Sequence, residues 1–111
     1  MAYDEALADR VRSLVAGEPD VTEKRMFGGL ALLLDGRMGV VIRGKGGLMV
    51  RVAPASLARA LAEPGASEAV MRGRPMTGWV IVEPSAVDRA ADLRRWVKRG
   101  LSAARSAGAE D

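Results

Sequence analysis

Two glycine clusters, Gly28-Gly29 and Gly44-Lys45-Gly46-Gly47, have the first spacing in this chain that invites a chemical reading. Successive backbone N–H groups with no side chains in the way can cradle a phosphate. A P-loop, however, needs Gly, four residues, then Gly-Lys followed by Ser or Thr, placed between a strand and a helix. Here Lys45 is followed by Gly46, and the segment joins two expected strands. The glycines therefore read as hairpin turns and a bulge, where positive φ carries no steric cost. The dinucleotide fingerprint fails on the same context.

The carboxylates come next. Asp4, Glu5 and Asp9 fall on the solvent side of a first helix, and Asp88 and Asp92 lie one turn apart on a last one. Each set reads as a solvated helix face, with no local pattern of the kind that makes a buried acid–base dyad. No calcium-loop spacing is present. Ser56, Ser67, Thr77 and Ser85 have no histidine to activate them, because the chain contains none, and no Ser-x-x-Lys spacing links a serine to Lys24, Lys45 or Lys98. The chain also lacks cysteine, which excludes disulfides, thiolate metal sites and cysteine nucleophiles. No catalytic, cofactor-binding or metal-ligating residue is assigned, and the chain is not expected to be an enzyme.

The cations are more numerous. Lys and Arg total 17 against 14 Asp and Glu, for a net charge of +3. That excess is within the range that keeps a small domain soluble. Arg89, Arg94, Arg95, Lys98 and Arg99 crowd the last helix and are candidate nucleic-acid contacts. The competing reading is a solvated helix face, with Asp92 positioned to pair with Arg95 and the cations near the negative end of the helix dipole. The absence of interleaved aromatics favours that reading over single-strand binding.

The elements that would position these residues follow from periodicity. Residues 3–16 read as an amphipathic helix with Tyr3, Leu7, Val11, Leu14 and Val15 on one face. Strands are expected at 22–27, 30–34, 38–43 and 48–52, with Asp35-Gly36 as a hairpin turn. Along 48–52, Leu48, Val50 and Val52 share one face and Met49 and Arg51 the other. Residues 54–62 form a short helix with Leu57, Ala58 and Leu61 as its apolar stripe. Residues 70–75 fit either an edge strand or an extended loop, and 78–83 a strand. Ser85 reads as the N-cap of the last helix, whose buried face is Val87, Leu93, Trp96, Val97, Leu101 and Ala104. Trp79 and Trp96 are both expected in the core. Segregated strands with helices on one face make an α+β domain over residues 1–105, with 106–111 as a frayed tail.

Three stretches resemble the TfoX N-terminal domain family, also called TfoX/Sxy. They are Arg25-Met26-Phe27-Gly28-Gly29-Leu30, Gly47-Leu48-Met49-Val50-Arg51-Val52, and Gly73-Arg74-Pro75-Met76-Thr77-Gly78-Trp79-Val80. The resemblance covers residues 4–104. It implies a mainly antiparallel sheet covered by helices, of secretion-chaperone-like type, in the order α-β3-α-β2-α. It also implies a link to regulators of natural competence that act with a transcription activator; full-length regulators of that kind carry a second, C-terminal helical domain. The family supplies no catalytic residues. The motif residues Met26, Phe27, Gly28, Gly29, Pro75, Met76, Gly78 and Trp79 read as fold-shaping devices: Gly28-Gly29 lets a strand bend where Phe27 turns inward, and Pro75 and Gly78 frame a turn that sets Trp79 on the sheet.

The expected function is a non-catalytic regulatory module acting through a protein partner such as a transcription regulator, and through itself as a homodimer. Direct nucleic-acid binding by the last helix, and a small-ligand pocket beside Gly28-Gly29, are the alternatives. No segment reaches the ~18 apolar residues that span a bilayer, and residues 1–5 lack a signal-peptide pattern, so a cytoplasmic protein without membrane contacts is expected.

Overall fold

The computed structural model describes residues 3–26 and 28–110, with the side chains of 108–110 excepted. Phe27, expected to turn into the core, lies outside the described residues. The chain runs α1 (Glu5–Val15), β1 (Val21–Met26), β2 (Gly29–Leu34), β3 (Arg37–Ile42), β4 (Leu48–Arg51), α2 (Leu57–Leu61), β5 (Ala66–Met71), β6 (Arg74–Val82) and α3 (Ala90–Glu110). The strands form one antiparallel sheet in the order β1-β2-β3-β4-β6-β5. This is the expected α+β class. Four strands precede α2, as the turns and periodicity predict, one more than in the α-β3-α-β2-α order that the resemblance implies.

Helix α1 begins where Asp4 Oδ1 accepts the Leu7 N–H at 3.1 Å, satisfying one of the free donors of the first turn. Its apolar stripe then buries Leu7, Ala8, Val11 and Val15. Arg12 clamps the helix to β1: Nε and Nη2 donate to the two carboxylate oxygens of Glu23 at 2.7 and 2.9 Å. This bidentate pair holds the Glu23 carboxyl below its ordinary range.

Strand β2 is apolar throughout and contributes side chains to an apolar cluster on each face of the sheet. Leu30, Leu32 and Leu34 join the main core, and Ala31 belongs to a second cluster on the other side. The main core lies between the sheet and helices α1 and α3, where Val40, Ile42, Leu48, Val50, Val80 and Val82 meet Leu93, Trp96, Val97 and Leu101. At its centre α3 crosses β3 at a pair of glycines. A Cβ on Gly39 would come within 2.6 Å of the Gly100 carbonyl oxygen, and a Cβ on Gly100 would meet the Gly39 carbonyl oxygen and Val40 Cγ2. The absence of both side chains is what lets the helix seat this deeply.

Several local expectations change. Residues 70–75, expected as an edge strand or a loop, divide between the end of edge strand β5, the turn Arg72-Gly73 with φ of 53° and 78°, and the start of β6. Two successive positive φ values match the right-handed strand twist. Pro75 to Gly78 does not frame a turn but lies inside β6. The register slips between Glu68 and Val70, so residues 76–79 bulge opposite Ala69. Gly78 there has φ of 91°, and its carbonyl accepts the Val52 N–H at 2.7 Å. Ser85 does not cap α3. Residues 84–87 form a separate 3₁₀ turn, and the helix starts at Ala90, its Leu93 N–H bonding to the Arg89 carbonyl at 3.0 Å. On α2, Ala58 is exposed and Ala60 is buried, because the helix is only five residues long and leans on the core through Leu57, Ala60 and Leu61. Trp96 is in the core, but Trp79 is half-buried on the opposite face of the sheet. Helix α3 continues through Glu110. Among the described residues, no helix is long and apolar enough to cross a membrane.

Candidate functional site

The feature that organises the molecule is the difference between the two faces of its sheet. All three helices pack on one face. The other carries no helix, yet Ala31, Val41, Met49 and Ala69 are buried there beneath their own neighbours, Met26, Leu33, Met38, Met76, Trp79 and Ile81. Four methionines in so small a cluster make an adaptable surface, since the unbranched thioether chain repacks easily.

This face is also basic. Lys24 stands opposite Ala31 in the strand register, so alternation puts it on the helix-free side. The Arg51 guanidinium lies 5.9 Å from the Trp79 ring centroid. The two strand carboxylates point the other way: Glu23 is in register with Leu32, and Glu68 with Val80, both core-facing.

The two sequence motifs meet here. Met26 and Met76 pack on the second cluster with Trp79. Gly28 and Met76 both line a groove of about 450 Å³. Gly29 sits below, where a Cβ would collide with the Ile42 carbonyl oxygen. Pro75 is exposed, and Gly78 supplies the bulge that carries the chain to Trp79. Val41, Met49 and Ile81 also line the groove, with Arg43 and Lys45 from the β3–β4 turn and Val70, Met71 and Arg72 from the tip of the β5–β6 hairpin. Val70 and Met71 are the exposed large hydrophobics among the described residues, at 56% and 37% exposure. Arg43 and Arg72 were not singled out by sequence reasoning, and Lys45 was weighed only in its glycine-rich turn and as a serine partner. The one available signal was the alternation that placed Met49 and Arg51 on a second face. A smaller cleft of about 200 Å³ lies between Trp79, the 51–54 segment and the end of α3.

The candidate nucleic-acid contacts do not form one free stripe. Arg95 donates to Asp92 Oδ1 at 2.8 Å and to Glu63 Oε1 at 2.7 Å. Arg99 Nη1 stands 2.7 Å from Glu63 Oε2, with its guanidinium carbon 4.5 Å from the Trp96 ring centroid. Arg89, Arg94 and Lys98 project into solvent. Of the carboxylates weighed for chemistry, Asp4 caps α1, Asp9 pairs with Arg12 and Asp92 with Arg95. Among the described residues, no group of three or more His, Cys, Asp or Glu side chains is placed to hold a metal ion.

A family model for the TfoX N-terminal domain matches residues 13–104, most of the chain. The chain belongs to the TfoX N-terminal domain family. No curated protein and no solved structure matches it. At the level of the family, a TfoX N-terminal domain is a regulatory or interaction domain, and the family is in general non-catalytic. The matched span includes both motifs and the whole helix-free face.

Within this TfoX N-terminal domain, Glu63 fastens α3 to the segment after α2. Partial burial alone would raise its carboxyl pKa. The guanidiniums of Arg95 and Arg99 outweigh that and hold it below the ordinary carboxylate range. A lowered folded-state pKa means that the contribution to stability is present above the unfolded pKa and is lost as pH falls through the folded one. Glu63→Gln is therefore expected to cost about 1 kcal/mol near neutral pH, for a pair that is neither fully exposed nor fully buried. At an acid pH below the lowered folded-state pKa, where the wild-type carboxyl is protonated and nearly isosteric with the amide, the cost should shrink towards zero. Urea unfolding of both proteins at the two pH values reads this directly. An equal cost at both would show that the ion pair is not what Glu63 contributes.

Proposed function

We propose that this TfoX N-terminal domain is a regulatory interaction module that binds a protein partner through the helix-free face of its sheet. The observation that carries the reading is that this face holds a methionine-rich apolar cluster ringed by cations, while the strand carboxylates face the other way. Apolar surface of this kind, rimmed by polar groups, marks an interaction site. The expected partner presents apolar groups with acidic neighbours. A transcription regulator of a competence-type pathway in the cytoplasm is the candidate that the family brings. A homodimer through this same face is disfavoured, because it would set Arg51, Lys24 and Arg43 against their own copies.

A photo-crosslinking residue placed at Met38 or Met76 should capture one partner in the native cell. The same residue at Arg94 or Ser102, on the outer side of α3, should not. Light scattering of the purified chain separately reads self-association. Capture from α3 alone would overturn the assignment of the face. Direct nucleic-acid binding by α3 is the weaker reading, since Arg95 and Arg99 already neutralise Glu63 and Asp92. It predicts a salt-dependent shift with duplex DNA carried by Arg89, Arg94 and Lys98.

A further inference from the structure

The groove between the β3–β4 turn and the β5–β6 hairpin tip has a chemistry of its own. Its volume, about 450 Å³, is that of small-molecule sites, which run from about 300 to 1,000 Å³. Its floor is Val41, Met49 and Ile81, and Met76 and Met71 add flexible apolar walls. Among the described residues, its charged lining is Arg43, Lys45 and Arg72, with no Asp or Glu. Arg43 is held in place: its Nη1 donates to the Gly46 carbonyl at 3.2 Å, which uses one of the five guanidinium donors and leaves the rest for a ligand.

We infer that this groove binds a small organic anion with an apolar body, a carboxylate on an aliphatic chain being the simplest example. The apolar floor supplies affinity through buried area, at roughly 25 cal/mol per Å². The three cations select the sign of the head group and exclude a cationic amphiphile. A bare anion lacks the body that the floor requires. This inference goes beyond the partner-binding reading and does not depend on it, because it is measured on the isolated chain.

The test is an amide-resolved NMR titration of the full chain with decanoate, decylammonium, inorganic phosphate and an acidic leucine-bearing decapeptide as separate probes. Decanoate is expected to give saturable shifts at Gly28, Gly44, Lys45, Met49 and Arg72, with decylammonium and phosphate giving none there. Arg43→Ala combined with Arg72→Ala should weaken decanoate by about tenfold or more, the scale of a lost charge-assisted contact. An unchanged thermal melt would show that the double variant is folded. Equal binding of decanoate and decylammonium, binding of phosphate alone, or no decanoate shift at the groove would overturn the inference. Tighter binding of the decapeptide than of decanoate would also overturn it, reassigning the groove to a segment of a protein partner.

Discussion

Trp96→Ala is expected to destabilise the domain by about 3–5 kcal/mol, the range for removing a fully buried large aromatic side chain. Trp96 is 1% exposed and sits where α3 meets the sheet, within a cluster that includes Leu93, Val97, Val40 and Val50. The loss also removes the ring beneath the Arg99 guanidinium, and so loosens the link from Arg99 to Glu63. Against a total stability of about 5–15 kcal/mol for a domain of this kind, the variant would lie near the edge of unfolding. Trp79 provides the contrast. It is half-buried on the helix-free face, so Trp79→Ala should cost only about 1–2 kcal/mol and leave a folded chain. Urea denaturation followed by far-ultraviolet circular dichroism compares the two without relying on either indole. Equal losses would refute the division of the molecule into a helix-covered core and an open face.

Gly100→Ala is the second large effect, and two terms of opposite sign decide it. In a helix interior, glycine is worse than alanine by about 1 kcal/mol, so on an open helix surface the change would stabilise. Here the new Cβ would collide with the carbonyl oxygen of Gly39 and with Val40 Cγ2. The oxygen belongs to Gly39, which sits at the register shift between β2 and β3, but its neighbours anchor it: Met38 pairs with Leu33, and Val40 with Leu32 and Val50. Overpacking of this sort costs about 1–3 kcal/mol or more, and Val40 must shift as well. The net result should be destabilising, with the melting temperature falling by about 4–8 °C for each kcal/mol. Gly17→Ala serves as the control, since nothing lies within 4 Å of the added atom, and should be neutral or mildly stabilising. A higher melting temperature for Gly100→Ala would mean that α3 and β3 are not in close contact.

Much of this architecture could be read before any coordinates. Leu7, Val11 and Val15 recur at helical spacing and are buried as that spacing requires. The continuous apolar run of β2 read as a strand, and Asp35-Gly36 announced its turn, with φ of 51° and 81°. The misreadings have local physical causes. Arg72 occupies a positive-φ turn position usually held by Asn, Asp or Gly, so the β5–β6 hairpin gave no turn signal there. Ser85 has the right chemistry for a cap, but Pro84 starts a 3₁₀ turn that ends before the helix begins. Glu63 is 32 residues from Arg95, and no local pattern links them. The candidate site was the least legible part. Its groove is assembled from two turns and a hairpin tip, and only the strand register brings Met49 beside Ile81.

That pairing has a kinetic consequence. The sheet consists of two ribbons that can each form from neighbouring sequence: the β1–β4 meander and the β5–β6 hairpin. They are zipped by one non-local seam, in which Leu48, Met49, Val50 and Arg51 face Val82, Ile81, Val80 and Trp79. Closing that seam carries the loop entropy of the intervening segment, so it is the slow step that topology imposes on folding. The groove straddles the same seam, with Val41 and Met49 on one ribbon and Met76 and Ile81 on the other. Whatever occupies it touches both halves at once and acts as a staple, slowing the rate at which the two ribbons part.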